Sequence, residues 1–533
     1  MAQIWSFHSH PSWMAENGSP EFWLKSEGRL PQGFTLQRTS QSRGAGFTAI
    51  VYRIVKEGIP VHECMVSVLR AAKGGLVTSN FPEDLPFESS QTTGKNTIWY
   101  KTRNKYCLVS YHDSGSIRTF SHADFTTRTE YRRNFNKDTT VKAKVHAPDP
   151  LSRANVLYGG IWKDSSDGNP AHLNEQRFWL PVTLRKAGDT LKPESDKLIF
   201  REISIPVYPA GYSFGNPDFG RDVPAFEDFN AFVHIQSLSR WWDSLGFADW
   251  SDTVQIDAHA MGGADESGYN PLLTPPAIEF GTGGVDDAED ADVCVHEYTH
   301  AAFGAVVPDS YVGSQRQAIE EGVCYFVAVA YSLRHTPNQA GIVNNWDGHN
   351  EFYPGYTLLN NKMYGKGMTN QPHVDGEIWG AALYDLSRET GTDSTMKLVL
   401  QSMPLMVAGM GMQKAAEVLL RTDSLLNNAR NRWPIIKAFY PRNLLPSLGI
   451  SEVKKEIIFK VFNSEGFAHG ENAEIISNQP GLFRMMDSRG LCVREYKVQA
   501  WQKCTISASG LSAGVYYLQG GNQVVKMLLN QAR

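Results

Sequence analysis

The stretch V-C-V-H-E-Y-T-H-A-A-F, residues 293–303, decides how the rest of the chain is interpreted. It places His296 and His300 four positions apart, with Glu297 beside the first histidine. On a helix, residues i and i+4 lie on one face, so both imidazoles can offer a nitrogen to one tetrahedral zinc ion. Glu297 then lies where a carboxylate can take a proton from a water molecule that the metal activates. The alternative is a buried core helix whose two histidines bond backbone carbonyls.

A catalytic zinc site also needs a third protein ligand. No further histidine follows at H-x-x-G-x-x-H spacing; instead the segment Q-A-I-E-E-G-V-C-Y-F-V-A-V-A-Y-S occupies residues 317–332. Its Glu321 leads into an apolar helical run, where a buried carboxylate needs a partner or a metal. Glu320 competes for this role. If Glu321 faces the metal, Glu320 points about 100° away along the helix, and the pattern predicts a solvated charge there.

H-E-Y-T-H followed by a glutamate on a second helix resembles the gluzincin metallopeptidases, the thermolysin and fungalysin group. The similarity extends to N-P-L-L-T-P-P-A-I-E-F-G-T-G (270–283) and H-V-D-G-E-I-W-G (373–380). In that group the first of these segments forms an edge strand that binds substrate backbone, and the second carries an oxyanion donor. The resemblance therefore implies zinc ligands His296, His300 and Glu321, general base Glu297, oxyanion donors Tyr311 and His373, and substrate-binding Asn270.

Two positions depart from that group's pattern. An aspartate four residues after the glutamate ligand usually orients the first zinc histidine, and here that position is Tyr325. His373 lacks the acidic residue that often precedes it, and Asn370 is the nearest polar substitute. Partners of zinc histidines commonly change affinity or activity by about 10–100-fold. The main interpretation is a secreted zinc endopeptidase, and the alternative is a catalytically inactive, surface-displayed binding protein on the same scaffold.

Hydrophobic patterning divides the chain into three regions. Residues 1–205 are β-rich, and 47–78 alternate as a β-meander. Residues 206–450 mix strands with amphipathic helices, one of them predicted over 286–303. Residues 451–533 return to short strands typical of a β-sandwich. We therefore predict a multidomain α+β protein with a propeptide-like and connecting N-terminal region, a thermolysin-like catalytic domain and a C-terminal sandwich.

Two terminal segments carry further resemblances. Y-R-I-V-K-E-G-I-P-V-H-E-C-M-V-S-V (52–68) resembles the fungalysin/thermolysin propeptide motif, which implies a zymogen. I-S-A-S-G-L-S-A-G-V-Y-Y-L-Q-G-G (506–521) resembles a type IX secretion sorting domain. This implies recognition by the type IX machinery and release to the surface or surroundings of a Bacteroidetes-type bacterium. The first residues show no basic start followed by an apolar run, so no secretory signal is visible.

Composition limits the remaining partners. The formal net charge is -5 and no long basic run occurs, so we expect no nucleic acid. Protein or peptide substrates are expected, with a monomeric chain. Calcium is a second candidate metal, and its candidate ligands lie in A-D-E-S-G-Y-N-P (264–271) and in the cluster Asp286, Asp287, Glu289 and Asp290. The favoured interpretation of that cluster is a solvated helix start that complements the helix dipole.

Overall fold

The computed structural model describes most of the chain. The described residues are 3–7, 20–26, 29–31, 33–44, 46–71, 74–81, 87–88, 97–101, 106–110, 112–114, 117–119, 138–164, 167–209, 211–248, 252–348, 355–445, 459–462, 465–468, 472–477, 480–499, 502–507, 509–520 and 523–530. They form two compact units, Met1–Leu445 and Pro446–Arg533. The mixed α+β class is confirmed, whereas the predicted boundary between 205 and 206 stays a prediction.

The first unit opens with an antiparallel sheet. Its elements are β1 (Gln3–Phe7), α1 (Glu21–Ser26), β2 (Phe34–Gly44), β3 (Phe47–Lys56), β4 (Ile59–Ala71), β5 (Gly74–Ser79), β6 (Phe87–Glu88), β7 (Thr97–Lys101), β8 (Tyr106–Ser110), β9 (His112–Ser114) and β10 (Ile117–Thr119). Strands β2 to β5 pair successively, which confirms the β-meander predicted for 47–78. Alternate residues such as Ile50, Tyr52 and Ile54 share one hydrophobic core, as the two-residue period of a strand requires.

Hydrogen bonds from side chains of this sheet to backbone carbonyls connect it to the rest of the first unit. Thr78 Oγ1 donates to Leu405 O over 3.0 Å, and Ser67 Oγ donates to Pro404 O. Thr78 and Ser67 are both fully buried. Because buried carbonyls need donors, these bonds fix the sheet against the 3-10 helix Met403–Leu405.

The remainder of the first unit is mixed. Its elements are β11 (Thr139–His146), α2 (Pro150–Ala154), α3 (Ala171–Asn174), β12 (Arg177–Ala187), β13 (Thr190–Lys192), β14 (Leu198–Phe200), α4 (Ala225–Ser244), β15 (Val254–Ala260), β16 (Gly268–Asn270), β17 (Ala277–Gly281), α5 (Ala291–Val306), α6 (Ser314–Ser332), β18 (Ile342–Val343), β19 (Tyr356–Thr357), α7 (Pro372–Thr390), α8 (Thr392–Ser402), α9 (Met412–Leu426) and α10 (Arg432–Phe439). Strands β14, β15 and β17 are parallel, and β16 pairs antiparallel to β17 at the sheet edge. Strand β14 lies before the predicted boundary at residue 205, yet it pairs with β15, which lies after that boundary.

Helices α6 and α7 approach each other at glycines. A Cβ on Gly322 would lie 2.5 Å from Gly376 O, and a Cβ on Gly376 would lie 2.8 Å from the Cβ of Glu321. Real Cβ contacts are never that short. The two glycines therefore allow the approach that sets α7 beside Glu321.

The prediction of a helix that begins at residue 286 with solvated acidic residues is wrong in two respects: where the helix begins and whether those residues are exposed. Asp290 caps the helix by accepting from Asp292 N, so that α5 begins at Ala291, and a separate 3-10 turn covers Asp287–Glu289. The acidic residues of this segment are buried rather than solvated. Their charges must be neutralised by protons, basic partners or a cation, because burying an unpaired charge is costly.

The second unit consists of strands. They are β20 (Phe459–Phe462), β21 (Glu465–Ala468), β22 (Asn472–Ser477), β23 (Gly481–Met486), β24 (Cys492–Val498), β25 (Cys504–Ser507), β26 (Gly514–Gly520) and β27 (Gln523–Asn530). They form one sheet in the order β20-β22-β25 and another in the order β21-β27-β26-β23-β24. Residues of both sheets, such as Ile475 and Leu518, share one core, in keeping with the predicted β-sandwich. None of the helices in the described parts of either unit is long and apolar enough to cross a membrane.

Candidate active site

Helices α5 and α6 bring three ligand atoms together. His296 Nε2 lies 3.2 Å from His300 Nε2, and Glu321 Oε2 lies 3.2 Å from the first nitrogen and 3.5 Å from the second. Tetrahedral ligands at zinc–ligand distances of 2.0–2.1 Å are separated by roughly 3.3 Å. Glu321 Oε2 is buried and faces imidazole nitrogens, but none of them is aligned for a hydrogen bond to it among the described residues. The donor set and its spacing therefore fit one zinc ion.

Cys324 is a further group near these histidines. Its Sγ and the histidine nitrogens lie within 4.8 Å of one another. Burial raises the pKa of the Cys324 thiol to about 12. Since the thiolate is the metal-binding form, Cys324 must lose a proton before it can bind a metal, whereas the pKa of Glu321 is low and its carboxylate is ionised.

The charge of Glu321 is stabilised by its surroundings. Burial alone would raise its pKa, but the nearby His300 and contacts with His296 and His373 hold the pKa well below its usual value. Tyr311 adds a hydrogen bond, since its hydroxyl donates to Glu321 Oε1 over 2.5 Å. Burial and the charge of Glu321 raise the pKa of Tyr311, which keeps its hydroxyl proton available for donation.

His373, in the first turn of α7, faces the same carboxylate. Its Nδ1 lies 3.2 Å from Glu321 Oε2 and 3.2 Å from the hydroxyl of Tyr325. The His373 side chain is 56% exposed, so it can meet a ligand in the cavity. Burial would lower the pKa of His373, but the contact with Glu321 raises it above the usual value.

Tyr325 contacts His373, the predicted oxyanion donor, as well as the ring of His296. Its ring lies 5.3 Å from the ring of His296 and 4.7 Å from that of Tyr356. His296 Nδ1 is buried and has no hydrogen-bond partner in the described parts of the chain. Tyr325 therefore does not replace the aspartate that the resemblance leads one to expect as the partner of His296.

The prediction that Glu320 is a solvated charge is wrong. It is 3% exposed, and its Oε1 lies 2.8 Å from His300 Nδ1. Its Oε2 pairs with Arg316 at 2.7 Å. Arg316 is fully buried, and its Nε donates to Met406 O. The sequence did contain a signal that Glu320 is paired rather than solvated: Arg316 lies four residues before it, and residues at i and i+4 are neighbours on one helix face.

A cavity of about 430 Å³ opens over these groups. Glu297 lines it, as do Tyr269 and Pro271 at the edge strand. Asn270 lies on that strand, but its side chain turns away: Nδ2 donates to Glu279 Oε2 over 3.3 Å and Oδ1 accepts from Leu272 N. The structure thus gathers the predicted ligands, base and oxyanion donors at one cavity, whereas the Asn270 side chain does not join them.

Two histidines and one glutamate thus face one another at a cavity that a further carboxylate lines, and this donor set fits one metal ion. No family model matches the chain. Among curated proteins, the chain is 23% identical over 355 residues to an extracellular metalloproteinase 3 of Trichophyton soudanense, covering 55% of this chain and 83% of that protein. The match to extracellular metalloproteinase 3 of Trichophyton rubrum spans 51% of that protein. Extracellular metalloproteinase 4 of Trichophyton tonsurans is 24% identical over 407 residues, covering 63% of this chain and 61% of that protein.

Among solved structures, the chain is similar to the precursor of protealysin, a metalloproteinase from Serratia proteamaculans. The identity is 12%, the TM-score is 0.36, and the match covers 46% of this chain and 86% of that one. In sequence, the chain is therefore similar to fungal proteins named extracellular metalloproteinases.

Proposed function

We propose that this protein is a secreted zinc endopeptidase. The observation that carries the proposal is the mutual spacing of His296 Nε2, His300 Nε2 and Glu321 Oε2, 3.2 to 3.5 Å. These residues would hold the metal, which when bound supplies Lewis-acid activation of water and of the peptide carbonyl. The relatives' printed names, extracellular metalloproteinases, support both the activity and the secretion.

The other residues at the cavity have separate roles in this proposal. Glu297 accepts the proton of the attacking water and passes it to the leaving nitrogen as the peptide C–N bond breaks. Tyr311 and His373 donate hydrogen bonds to the oxygen that becomes negatively charged. The strand β16, through its backbone rather than through the Asn270 side chain, aligns the substrate along the sheet edge.

Secretion by the type IX machinery, with the sandwich of the second unit as the sorting signal, belongs to the same proposal. So do a zymogen stage and a monomeric state. The N-terminal sheet supports the zymogen stage, because Arg53 pairs with Asp309, a residue that lines the cavity.

The second candidate is an inactive binding protein on this scaffold. His296 Nδ1 has no hydrogen-bond partner within the described residues, and this favours the second candidate, because a zinc histidine normally donates its other nitrogen to a fixed partner. Turnover separates the two candidates.

The deciding experiment combines zinc analysis with cleavage of a peptide library. It uses the full chain before and after limited proteolysis, with Glu297→Gln as the test variant and Glu266→Gln, exposed on the loop before β16, as the control. We expect one zinc per chain in every form and chelator-sensitive cleavage in wild type and control. Glu297→Gln should lose about 10²–10⁴-fold in kcat. Undiminished cleavage by Glu297→Gln overturns the mechanism, and zinc without cleavage in any form favours the binding protein.

A further inference from the structure

The active-site cavity contains one carboxylate that the proposed reaction does not use. The acidic residues that line the cavity are Glu297, Asp309, Glu320 and Glu321. Glu321 is a metal ligand and Glu297 is the general base, so together they would balance the two charges of a bound zinc ion. Glu320 is held by His300 and Arg316. Asp309 has no part in this chemistry, although its side chain is 48% exposed at the cavity.

The lining of the cavity does not balance the charge of Asp309. Lysine and arginine are absent from the described residues that line it. Arg316 lies behind the loop that carries Asp309, where its Nη2 donates to Ser310 Oγ over 2.7 Å. Its charge already pairs with Glu320, whose Oε2 lies 2.7 Å from Arg316 Nη1. Within the described lining, the cavity therefore has an unbalanced negative charge at Asp309.

The positive partner of Asp309 comes from the N-terminal sheet. Arg53, on β3, places its guanidinium against the Asp309 carboxylate, which shows that a guanidinium fits there. The neighbouring strand β2 reaches the same end of α5, where Ser40 Oγ donates to Val306 O over 2.9 Å. Both side chains of the ion pair are partly exposed, and such ion pairs contribute little to stability. A second guanidinium that arrives with a substrate can therefore displace Arg53.

The cavity also suits the aliphatic part of a long basic side chain. Its lining includes the apolar residues Phe303 and Val307 at the end of α5, and Leu272 just after the edge strand. Val307 lies two residues before Asp309. Lysine and arginine commonly lay their methylene groups along apolar surface and keep the charged end at a polar group. An apolar wall beside a carboxylate has this combination.

The turn at Asp309 does not itself require a negative charge. Asp309 has φ +62, a left-handed conformation in which aspartate and asparagine are both enriched. Asparagine fits this backbone as well as aspartate does. The charge at this position is therefore available for an interaction with a ligand.

We propose that Asp309 is a specificity-determining residue that selects substrates with an arginine or lysine side chain near the cleaved bond. The inference rests on the proposed peptidase function, because it assigns a substrate class to the same cavity. In the full chain, Arg53 occupies the position that the basic side chain of a substrate takes. Arginine is the better ligand of the two, because its planar guanidinium can donate two parallel hydrogen bonds to one carboxylate.

The test compares peptides that carry either arginine or citrulline, which has nearly the same shape and no charge. The residue is placed at each position of an otherwise constant hexapeptide in turn. Cleavage by the zinc-loaded full chain gives kcat and KM for each peptide. Calorimetry in the Glu297→Gln background gives Kd, so that binding is measured without turnover.

Asp309→Asn is the test variant, since asparagine keeps the shape and the turn. Arg53→Gln removes the competing guanidinium. Asp252→Asn, at an exposed position outside the cavity lining, is the matched control for the loss of one aspartate charge. Each substitution is made in the full chain and in the Glu297→Gln background.

We expect wild type to favour the arginine peptide over its citrulline partner about tenfold in KM and in Kd at one position or more, because bonds between charged groups are the stronger ones. In Asp309→Asn the ratio should fall to about one, with kcat unchanged, since the residue binds substrate and transition state alike. Arg53→Gln should raise the ratio. Asp252→Asn should keep the wild-type ratio.

A preference for arginine that survives in Asp309→Asn overturns the proposal. Equal binding of the two peptides by both wild type and Arg53→Gln overturns it as well. Cleavage without that preference would leave the peptidase function standing and remove the specificity. Selective binding of arginine peptides that depends on Asp309, without cleavage by wild type, would keep the subsite and remove the peptidase function.

Discussion

Glu320 Oε1 lies 2.8 Å from His300 Nδ1, on the opposite side of the imidazole from the nitrogen that faces His296 and Glu321. The partner of one metal-site histidine is therefore a buried carboxylate that precedes the glutamate ligand. Arg316 holds that carboxylate from the other side at 2.7 Å. His300 Nδ1 thus has a hydrogen-bond partner, whereas His296 Nδ1 has none among the described residues.

Glu320→Gln should weaken zinc binding by about 10–100-fold, because a neutral amide orients the imidazole less strongly and faces Arg316 with a donor. The measurement is competition for zinc with a chromophoric chelator, followed by kcat/KM at saturating zinc. Glu266→Gln is the control and should bind zinc as wild type does. Unchanged affinity in Glu320→Gln would mean that Glu320 serves the fold through Arg316 alone.

Tyr325 is placed to position His373 rather than His296, since its hydroxyl lies 3.2 Å from His373 Nδ1. Tyr325→Phe keeps the ring beside Tyr356 and removes only the hydroxyl. We expect kcat to fall about tenfold, within the range that supporting partners contribute, with zinc affinity unchanged.

Tyr384→Phe, a hydroxyl deletion on α7 away from the cavity lining, is the matched control. A loss of zinc affinity with kcat preserved would instead assign Tyr325 to His296, as its sequence position suggested.

The sequence contained enough to predict the mixed class, the β-meander and the metal-site helix. Spacing alone brings His296 and His300 together, because the i, i+4 relation is a property of one helix. The placement of Glu321 needed a second helix and followed from the resemblance, since its packing against α5 depends on tertiary contacts.

The errors have a common physical origin. Glu320 and the aspartates before α5 were predicted to be solvated, because charged residues are usually exposed. Their burial depends on partners from other segments: Glu320 pairs with Arg316, which donates to Met406 O, and Asp290 accepts from Trp346 N. Local patterning carries no information on such contacts. The same applies to Asn270, whose side chain was redirected by Glu279 on the adjoining strand.

The attachment of the N-terminal sheet can be tested at Thr78. Thr78→Val keeps the shape and removes the hydroxyl that donates to Leu405 O. An unpaired buried carbonyl costs about 1–3 kcal/mol, so the free energy of unfolding should fall by that amount in urea titrations of the first unit's transition.

Thr35→Val, at an exposed position on β2, is the control for the change in strand propensity. Equal stability of the two variants would mean that a water molecule or another donor replaces the Thr78 hydroxyl.

Acid should destabilise the protein through a buried histidine that stays neutral. His234 is fully buried; its Nε2 donates to His146 O over 2.7 Å and its Nδ1 accepts from the Tyr331 hydroxyl over 2.9 Å. Burial, with His335 nearby, lowers the pKa of His234 from 6.5 to about 3. Below pH 6.5 the unfolded chain binds a proton that the folded chain does not, so stability falls as the pH drops from 6.5 toward 3.

The slope of the free energy of unfolding against pH is about 1.4 kcal/mol per pH unit for this group. His234→Gln cannot take up that proton, so the stability difference between wild type and variant should shrink by that amount per unit between pH 6 and pH 4. Denaturant titrations across this range measure it, and parallel curves for the two proteins would contradict the assignment.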